Sequence, residues 1–176
     1  MNYAERIIEI AIKEVGTKES PANSNRVKYN EWMYNKVVEG SQYPWCASFV
    51  SWVYNEAGIN LGRIDMMKGF VGCPYAVNNV AKWGKIVTVP TKGCVVFFDW
   101  EGDGRFDHTG IFNVDLGGGK FEAIEGNTSV PRSADPKEAK QANSNGGEVL
   151  RRSDRKYKNC VFVLPKVLEK TQVPSI

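Results

Sequence analysis

One histidine and four cysteines limit the chemistry that this 176-residue chain can perform. Cys46 follows Pro44-Trp45 and begins a stretch with apolar residues at three- and four-residue steps, which predicts a helix that starts at the cysteine. The first turn of a helix has unpaired N–H groups and a positive dipole end, and both stabilise an anion. This position favours a reactive thiolate at Cys46, although most free cysteines are only small buried residues.

A predicted β-hairpin places the one histidine beside polar side chains. The strand that begins at His108 and the strand after it flank the glycine run 117–119, which is typical of a tight turn. Glu125 and Asn127 are two residues apart, so in a regular strand they would share the face next to His108. A carboxylate or amide there can accept a hydrogen bond from one imidazole nitrogen and leave the other to deprotonate Cys46. Each of these residues could also be purely structural.

Cysteine, then histidine, then a polar residue is the papain-like order along a chain. Four segments together resemble the CHAP domain, a cysteine- and histidine-dependent amidohydrolase/peptidase of the wider NlpC/P60 papain-like group. The segments that carry the resemblance are 44–52, 96–100, 107–111 and 125–127. It spans roughly residues 3–165, and each segment is weak evidence alone.

The resemblance implies a papain-like fold that cleaves amide bonds in bacterial peptidoglycan. The enzyme would be an N-acetylmuramoyl-L-alanine amidase or a wall-peptide endopeptidase, of the phage endolysin or autolysin type. Carried over to this chain, Cys46 is the nucleophile and His108 is the general base and later the acid. Glu125 orients the imidazole, and Asn127 is a fourth polar member. We prefer Glu125 to Asn127 in the third role because a carboxylate also stabilises the imidazolium that forms.

Two other functions remain open from the sequence. A catalytically silent module could bind wall fragments or a protein partner, and a cysteine amidase or peptidase could act on a substrate outside the wall. Trp45 and Trp83 are expected to be exposed and could bind sugar or peptide in any of these cases. All candidate catalytic residues are present, which favours the enzyme over the silent module.

Composition and charge narrow the partners. Hydrophobic residues make up 42% and charged residues 24% of the chain, as in ordinary globular proteins. A net charge of +3 is too mild to predict nucleic-acid binding, and no apolar run has membrane-spanning length. The N-terminus has no Sec signal pattern, so we expect synthesis in the cytoplasm and action on the wall after release. We expect a monomer.

No cofactor or metal is expected. The cysteines form no CxxC pair, and only one histidine could join them in a zinc site. Asp99, Asp103 and Asp107 alternate with glycines like the start of a calcium loop, but the closing glutamate is absent because that position is Gly110. A solvated turn is therefore the preferred interpretation of this segment.

The change from a helical to a strand period along the chain predicts an α+β fold with N-terminal helices packed on an antiparallel sheet. We expect a single domain over residues 1–176, with a core at about 3–165 and a short tail from residue 166. Helices are predicted at 3–15, from 46 and from 74, and a short helix within the polar loop 128–147. The predicted strands are 85–89, 94–98, 108–114, 120–125, 148–152 and 160–164.

Overall fold

The computed structural model describes residues 2–131 and 135–169, and this part of the chain is an α+β structure. Its helices are α1 (Tyr3–Lys13), α2 (Lys28–Tyr34), α3 (Cys46–Glu56), α4 (Cys73–Asn78), α5 (Pro136–Asn145) and α6 (Lys166–Glu169). Its strands are β1 (Gly84–Val87), β2 (Val95–Phe98), β3 (His108–Gly117), β4 (Lys120–Thr128), β5 (Glu148–Lys156) and β6 (Cys160–Pro165). A 3₁₀ turn at Val80–Lys82 lies between α4 and β1. The predicted α+β class is confirmed.

The six strands form one antiparallel sheet in the order β1-β6-β2-β3-β4-β5. The predicted hairpin is present as β3 and β4, which pair with Ile111 opposite Ile124. β5 continues the sheet beyond β4, so the hairpin lies inside the sheet rather than at its edge. Both strands of the hairpin are therefore held by neighbours on each side. None of the helices in the described ranges is long and apolar enough to span a bilayer.

Helix α3 lies between the sheet and two other helices, α1 and α2. Its residues from Cys46 through Ser51, and also Val53 and Tyr54, are buried. One side of α3 packs on β3 and β4, and α1 and α2 pack against it from other directions. A helix that is apolar around most of its circumference must be covered in this way. The core thus fixes the start of α3 against the middle of the sheet.

Gly126 lets β4 approach the first turns of α3 closely. A methyl group at this position would lie 2.7 Å from Cβ of Phe49 and 2.8 Å from Cζ3 of Trp45. Only a residue without a side chain fits that space without moving the helix. The glycine therefore sets how near the start of α3 can lie to the strand that carries Glu125.

Residues 166–169 were predicted to be part of a tail, but they form the short helix α6. Leu168 is fully buried, and the backbone N–H of Lys166 donates to the carbonyl of Trp83 at 3.0 Å. Glu169 also pairs with Lys85 of β1 at 3.2 Å. An apolar side chain that finds a place in the core is enough to dock a segment this short. The rest of the predicted tail, residues 170–176, lies outside the described residues.

Candidate active site

Cys46 lies at the start of α3 and is only 4% exposed. The residue before it, Trp45, gives no side-chain cap to the helix, and its carbonyl accepts the N–H of Phe49 at 2.9 Å. The Trp45 indole is used elsewhere: its N–H donates to Glu19 at 3.2 Å, and its ring stacks on Tyr29. The helix start is thus anchored by the tryptophan, while the first-turn N–H groups are left to act on an anion.

His108 and Glu125 form a fully buried pair across the β3–β4 hairpin. Nε2 of His108 lies 2.9 Å from Oε2 of Glu125. Burial opposes ionisation of Glu125, but Arg155 and His108 outweigh it and lower the pKa of this carboxyl to about 2. An ionised carboxylate can only accept, so Nε2 carries a proton and donates it to Glu125. Nδ1 is then the ring nitrogen available for proton transfer, and it is buried without a well-formed hydrogen bond to any described residue.

The thiol of Cys46 and the ring of His108 stabilise each other's charged forms. The neighbouring Cys73 thiol, with His108 and the backbone N–H of Thr109, lowers the pKa of Cys46 well below its ordinary value. Burial alone would lower the pKa of His108, but contact with Cys46 and Glu125 raises it. The two shifts together favour a thiolate beside an imidazolium, which is the reactive form of a cysteine–histidine pair.

Cys73 is a second thiol at this position, contributed by the start of α4. The neighbouring Cys46 thiolate, together with burial, raises the pKa of Cys73 well above its ordinary value. Cys73 therefore keeps its proton beside the Cys46 sulfur. The sequence did not predict that Cys73 lies near Cys46, because this contact depends on how α4 packs.

Gly110 explains why the Glu125 side chain has room beside His108. A Cβ at Gly110 would lie 2.6 Å from Cγ of Glu125 and 3.1 Å from the carbonyl oxygen of Ile124. Gly110 and His108 are two residues apart on β3, so they share a face of the strand. The missing side chain thus leaves the space through which the carboxylate reaches the ring.

Arg155 of β5 is a part of the site that sequence reasoning missed. Its Nε donates to Oε1 of Glu125 at 2.7 Å, and its Nη2 donates to Oε2 at 2.5 Å. The sequence placed the end of this strand at residue 152, whereas β5 continues to Lys156. A buried carboxylate needs a cation, because an unpaired buried charge is costly, but the sequence had not shown that Glu125 would be buried. Nothing in the sequence pattern distinguished Arg155 from the other basic residues near it.

Asn127 is not brought into hydrogen-bonding contact with His108. Its side chain donates to Asn145 at 3.1 Å and to Asn25 at 3.5 Å, and it accepts the N–H of Gly147 at 3.2 Å. The expected alternation fails because β4 is irregular between Glu125 and Thr128 and the φ of Asn127 is +57°. Asn127 thus joins β4 to α5 and the 20–25 loop. A catalytic role for it stays a prediction.

The predicted exposure of Trp45 and Trp83 is wrong. Trp45 is fully buried, and Trp83 is 4% exposed. Trp83 stacks on Phe70 and donates its indole N–H to the carbonyl of Ala76 at 3.0 Å. Both rings belong to the hydrophobic core, where large aromatic side chains bury the most apolar area. Neither ring face is available for stacking on a sugar or a peptide.

The acidic segment after β2 is a turn closed by its own backbone. The carboxylate of Asp99 accepts N–H groups from Gly102 at 2.7 Å, Asp103 at 3.2 Å and Gly104 at 2.8 Å. These bonds occupy the oxygens that a calcium ion would need. Over residues 2–131 and 135–169, no group of three or more histidine, cysteine or acidic side chains is placed to hold a metal.

A helix-start cysteine beside a histidine–carboxylate pair, on a papain-like α+β fold, defines a class of thiol-dependent amide hydrolases. The family model for the CHAP domain matches residues 38–127, just over half of the chain. The chain therefore belongs to the CHAP domain family. The matched segment includes Cys46, His108 and Glu125 but ends before Arg155. No curated protein and no solved structure matches the chain.

We expect iodoacetamide to label Cys46 much faster than the other cysteines at neutral pH. The pKa of Cys46 is lowered, whereas contact with Cys46 and burial raise the pKa of Cys73, and burial raises the pKa of Cys94. Burial and Glu125 raise the pKa of Cys160 to about 12. The reaction needs the thiolate, so labelling of Cys46 should also persist as the pH falls to about 6. Peptide mass spectrometry over a time course measures each rate. Similar rates for all four thiols would contradict an activated Cys46, and His108→Ala should remove the persistence at low pH.

We expect Gly110→Ala to abolish hydrolytic activity in a protein that still folds. The added methyl group must displace Glu125 from His108, and a misplacement of about 1 Å in a catalytic group can cost roughly 100-fold in rate. Gly118→Ala in the β3–β4 turn is the matched control, since it has open space but a φ of +60°. It should lose about 1–2 kcal/mol of stability through left-handed strain and keep its activity. Equal activity loss in both variants would show that Gly110 matters only for folding.

Proposed function

We propose that this protein is a peptidoglycan hydrolase that cleaves an amide bond through Cys46, His108 and Glu125. The observation that carries the proposal is the buried chain of contacts from Glu125 to the ring of His108 and on to the thiol at the start of α3. This arrangement supplies an ionised nucleophile, a proton donor and a group that fixes the ring. A binding module would gain nothing from burying these three groups together.

The geometry supports a two-step acyl transfer. The Cys46 thiolate attacks the carbonyl carbon of the scissile amide, and the oxyanion that forms lies near the Cys46 backbone N–H at the helix start. The His108 imidazolium gives its Nδ1 proton to the departing amine, which leaves as the C–N bond breaks. Neutral His108 then takes a proton from water, whose oxygen attacks the thioester. The acid product leaves, and the thiolate–imidazolium pair forms again.

Glu125 does not change its protonation state in this scheme. With a pKa of about 2 it stays ionised throughout, and it holds the Nε2 proton of His108 in each step. This keeps Nδ1 directed at the reacting atoms and stabilises the positive ring that exists before attack. The carboxylate is thus an orienting and electrostatic partner rather than a proton carrier.

Membership of the CHAP family supports the wall as the substrate, and the weakly positive chain suits an anionic polymer. The bond would be the amide of an N-acetylmuramoyl-L-alanine linkage or a peptide bond of the stem or cross-bridge. We also propose action as a monomer on the cell wall after release from the cytoplasm, as in an endolysin or autolysin.

Digestion of purified peptidoglycan tests the proposal. We expect wild-type protein to release soluble fragments, with one new amino end for each bond cut, and mass spectrometry should identify the bond. Cys46→Ala and His108→Ala should each lose at least about 1,000-fold in rate while remaining folded, because nucleophile and base act as a unit. Cys94→Ala, a change at a buried thiol away from the site, is the matched control and should keep its activity.

Two outcomes would replace the proposal. If wild type and Cys46→Ala clear a cell-wall suspension equally, the protein is a binding module and the thiol is structural. If intact wall is not cut but a small peptide or amide is hydrolysed in a Cys46-dependent way, the enzyme acts on a substrate outside the wall.

A further inference from the structure

We propose that Arg155 is a positioning residue that clamps both carboxylate oxygens of Glu125 and balances their charge, so that one oxygen is held on the His108 ring. The proposal deepens the function proposed above, since it assigns a role within the same site. Arg155 is only 5% exposed, and it hydrogen-bonds Glu125 rather than His108, so it acts on the ring through that carboxylate.

The clamp is a bidentate ion pair in the core. Two guanidinium nitrogens donate to different oxygens of Glu125, at 2.7 Å and 2.5 Å, and the second oxygen also accepts from Nε2 of His108 at 2.9 Å. Paired, parallel hydrogen bonds of this kind fix the plane of a carboxylate, which a single bond leaves free to rotate. Glu125 is therefore presented to the ring in one orientation.

Arg155 is itself fixed from two other directions. Its guanidinium carbon lies 5.2 Å from the ring centre of Phe98 and 4.9 Å from that of Trp100. Its remaining donor group, Nη1, donates to Asn143 of α5 at 2.9 Å, and the Trp100 indole donates to Ser144 of the same helix at 2.8 Å. An arginine that stacks on aromatic rings and donates a hydrogen bond from each guanidinium nitrogen has few alternative positions. These contacts transmit the packing of α5 and β5 to Glu125.

The charges in this region balance only when Arg155 is present. A thiolate at Cys46 and a carboxylate at Glu125 oppose an imidazolium at His108 and the guanidinium, all of them nearly or completely buried. Without Arg155 the site would hold two anions and one cation. Buried charges without partners are strongly unfavourable, so the imidazolium would hold its proton more tightly.

The other titratable groups near the ring do not provide a substitute cation. Cys73 of α4 lies beside Cys46 and keeps its proton, and the charge of Asp107, the residue before β3, helps to raise the pKa of Cys73. Cys160 of β6 lies near Glu125 and Arg155 with its pKa raised to about 12 by burial and by Glu125. Lys140 of α5 is exposed and pairs with Glu101. The proton affinity of His108 therefore depends on Arg155.

The single histidine makes the test direct, because the imidazole resonances in an NMR titration belong to His108 alone. We expect Arg155→Met to raise the pH at which the ring loses its proton by about one unit, a tenfold gain in proton affinity. Arg151→Met is the matched control: this arginine lies on the same strand but pairs with Glu122 at 2.9 Å near the surface. It should leave the titration of His108 unchanged.

Arg155→Lys separates charge from geometry and is the milder change if Arg155→Met does not fold. A lysine keeps the positive charge but reaches only one carboxylate oxygen, so the titration should stay close to that of wild type. With a wall fragment as substrate, kcat should fall by about tenfold with KM unchanged, because only the alignment of the ring is lost.

Two results would overturn the proposal. One is a folded Arg155→Met variant in which His108 titrates at the wild-type pH or lower. The other is an Arg155→Lys variant with wild-type kcat. The NMR titration needs no hydrolysis of wall material, so it stays informative even if peptidoglycan proves not to be the substrate.

Discussion

The structure depends on keeping a set of charged groups balanced inside a dry core. Glu125 and His108 are completely buried, and Cys46 and Arg155 are nearly so. Removing such groups from water costs several kcal/mol each unless partners with good geometry replace the water. Each of these groups has its partners on a different element, because α3, β3, β4 and β5 each contribute one member. The protonation states of these groups therefore depend on how the four elements pack.

Two glycines provide the space that this packing needs. Gly126 lets β4 lie against the first turns of α3, and Gly110 leaves room for the Glu125 side chain beside the ring. A side chain at either position would need space that another part of the site already occupies. Both glycines belong to the segments that carried the resemblance to the family, and their contacts give that resemblance a physical meaning. They are sites of close approach rather than flexible joints.

Much of this arrangement could be predicted from the sequence. The single histidine, the helix that starts at Cys46 and the glycine turn of the hairpin led to three residues that the structure does bring together. Strand alternation then failed at Asn127, because β4 departs from regular pairing just after Glu125. Strand alternation could not have predicted that Arg155 is buried beside Glu125 either. The buried positions of β5 are Val149, Arg152 and Arg155, a three-residue spacing that no regular strand pattern predicts.

The two tryptophans and the C-terminal segment show that the sequence alone does not predict which apolar side chains are buried. The sequence gives the size and polarity of Trp45 and Trp83, but only the tertiary packing decides that both rings lie inside. Leu168 is likewise fully buried in the core, which the sequence of this segment alone does not predict. Composition identifies such residues as candidates for burial without saying which surface they will cover.

The position of Arg155 has a consequence for exchanging catalytic units between proteins. The family match closes at residue 127, whereas the guanidinium that neutralises Glu125 enters 28 residues later on the neighbouring strand. A graft cut at the limits of the match would carry the nucleophile, the ring and the acid but leave the counter-ion behind and turn β4 into an open sheet edge. The transplantable unit is therefore set by the sheet, and it must include β5 and the helix that precedes it.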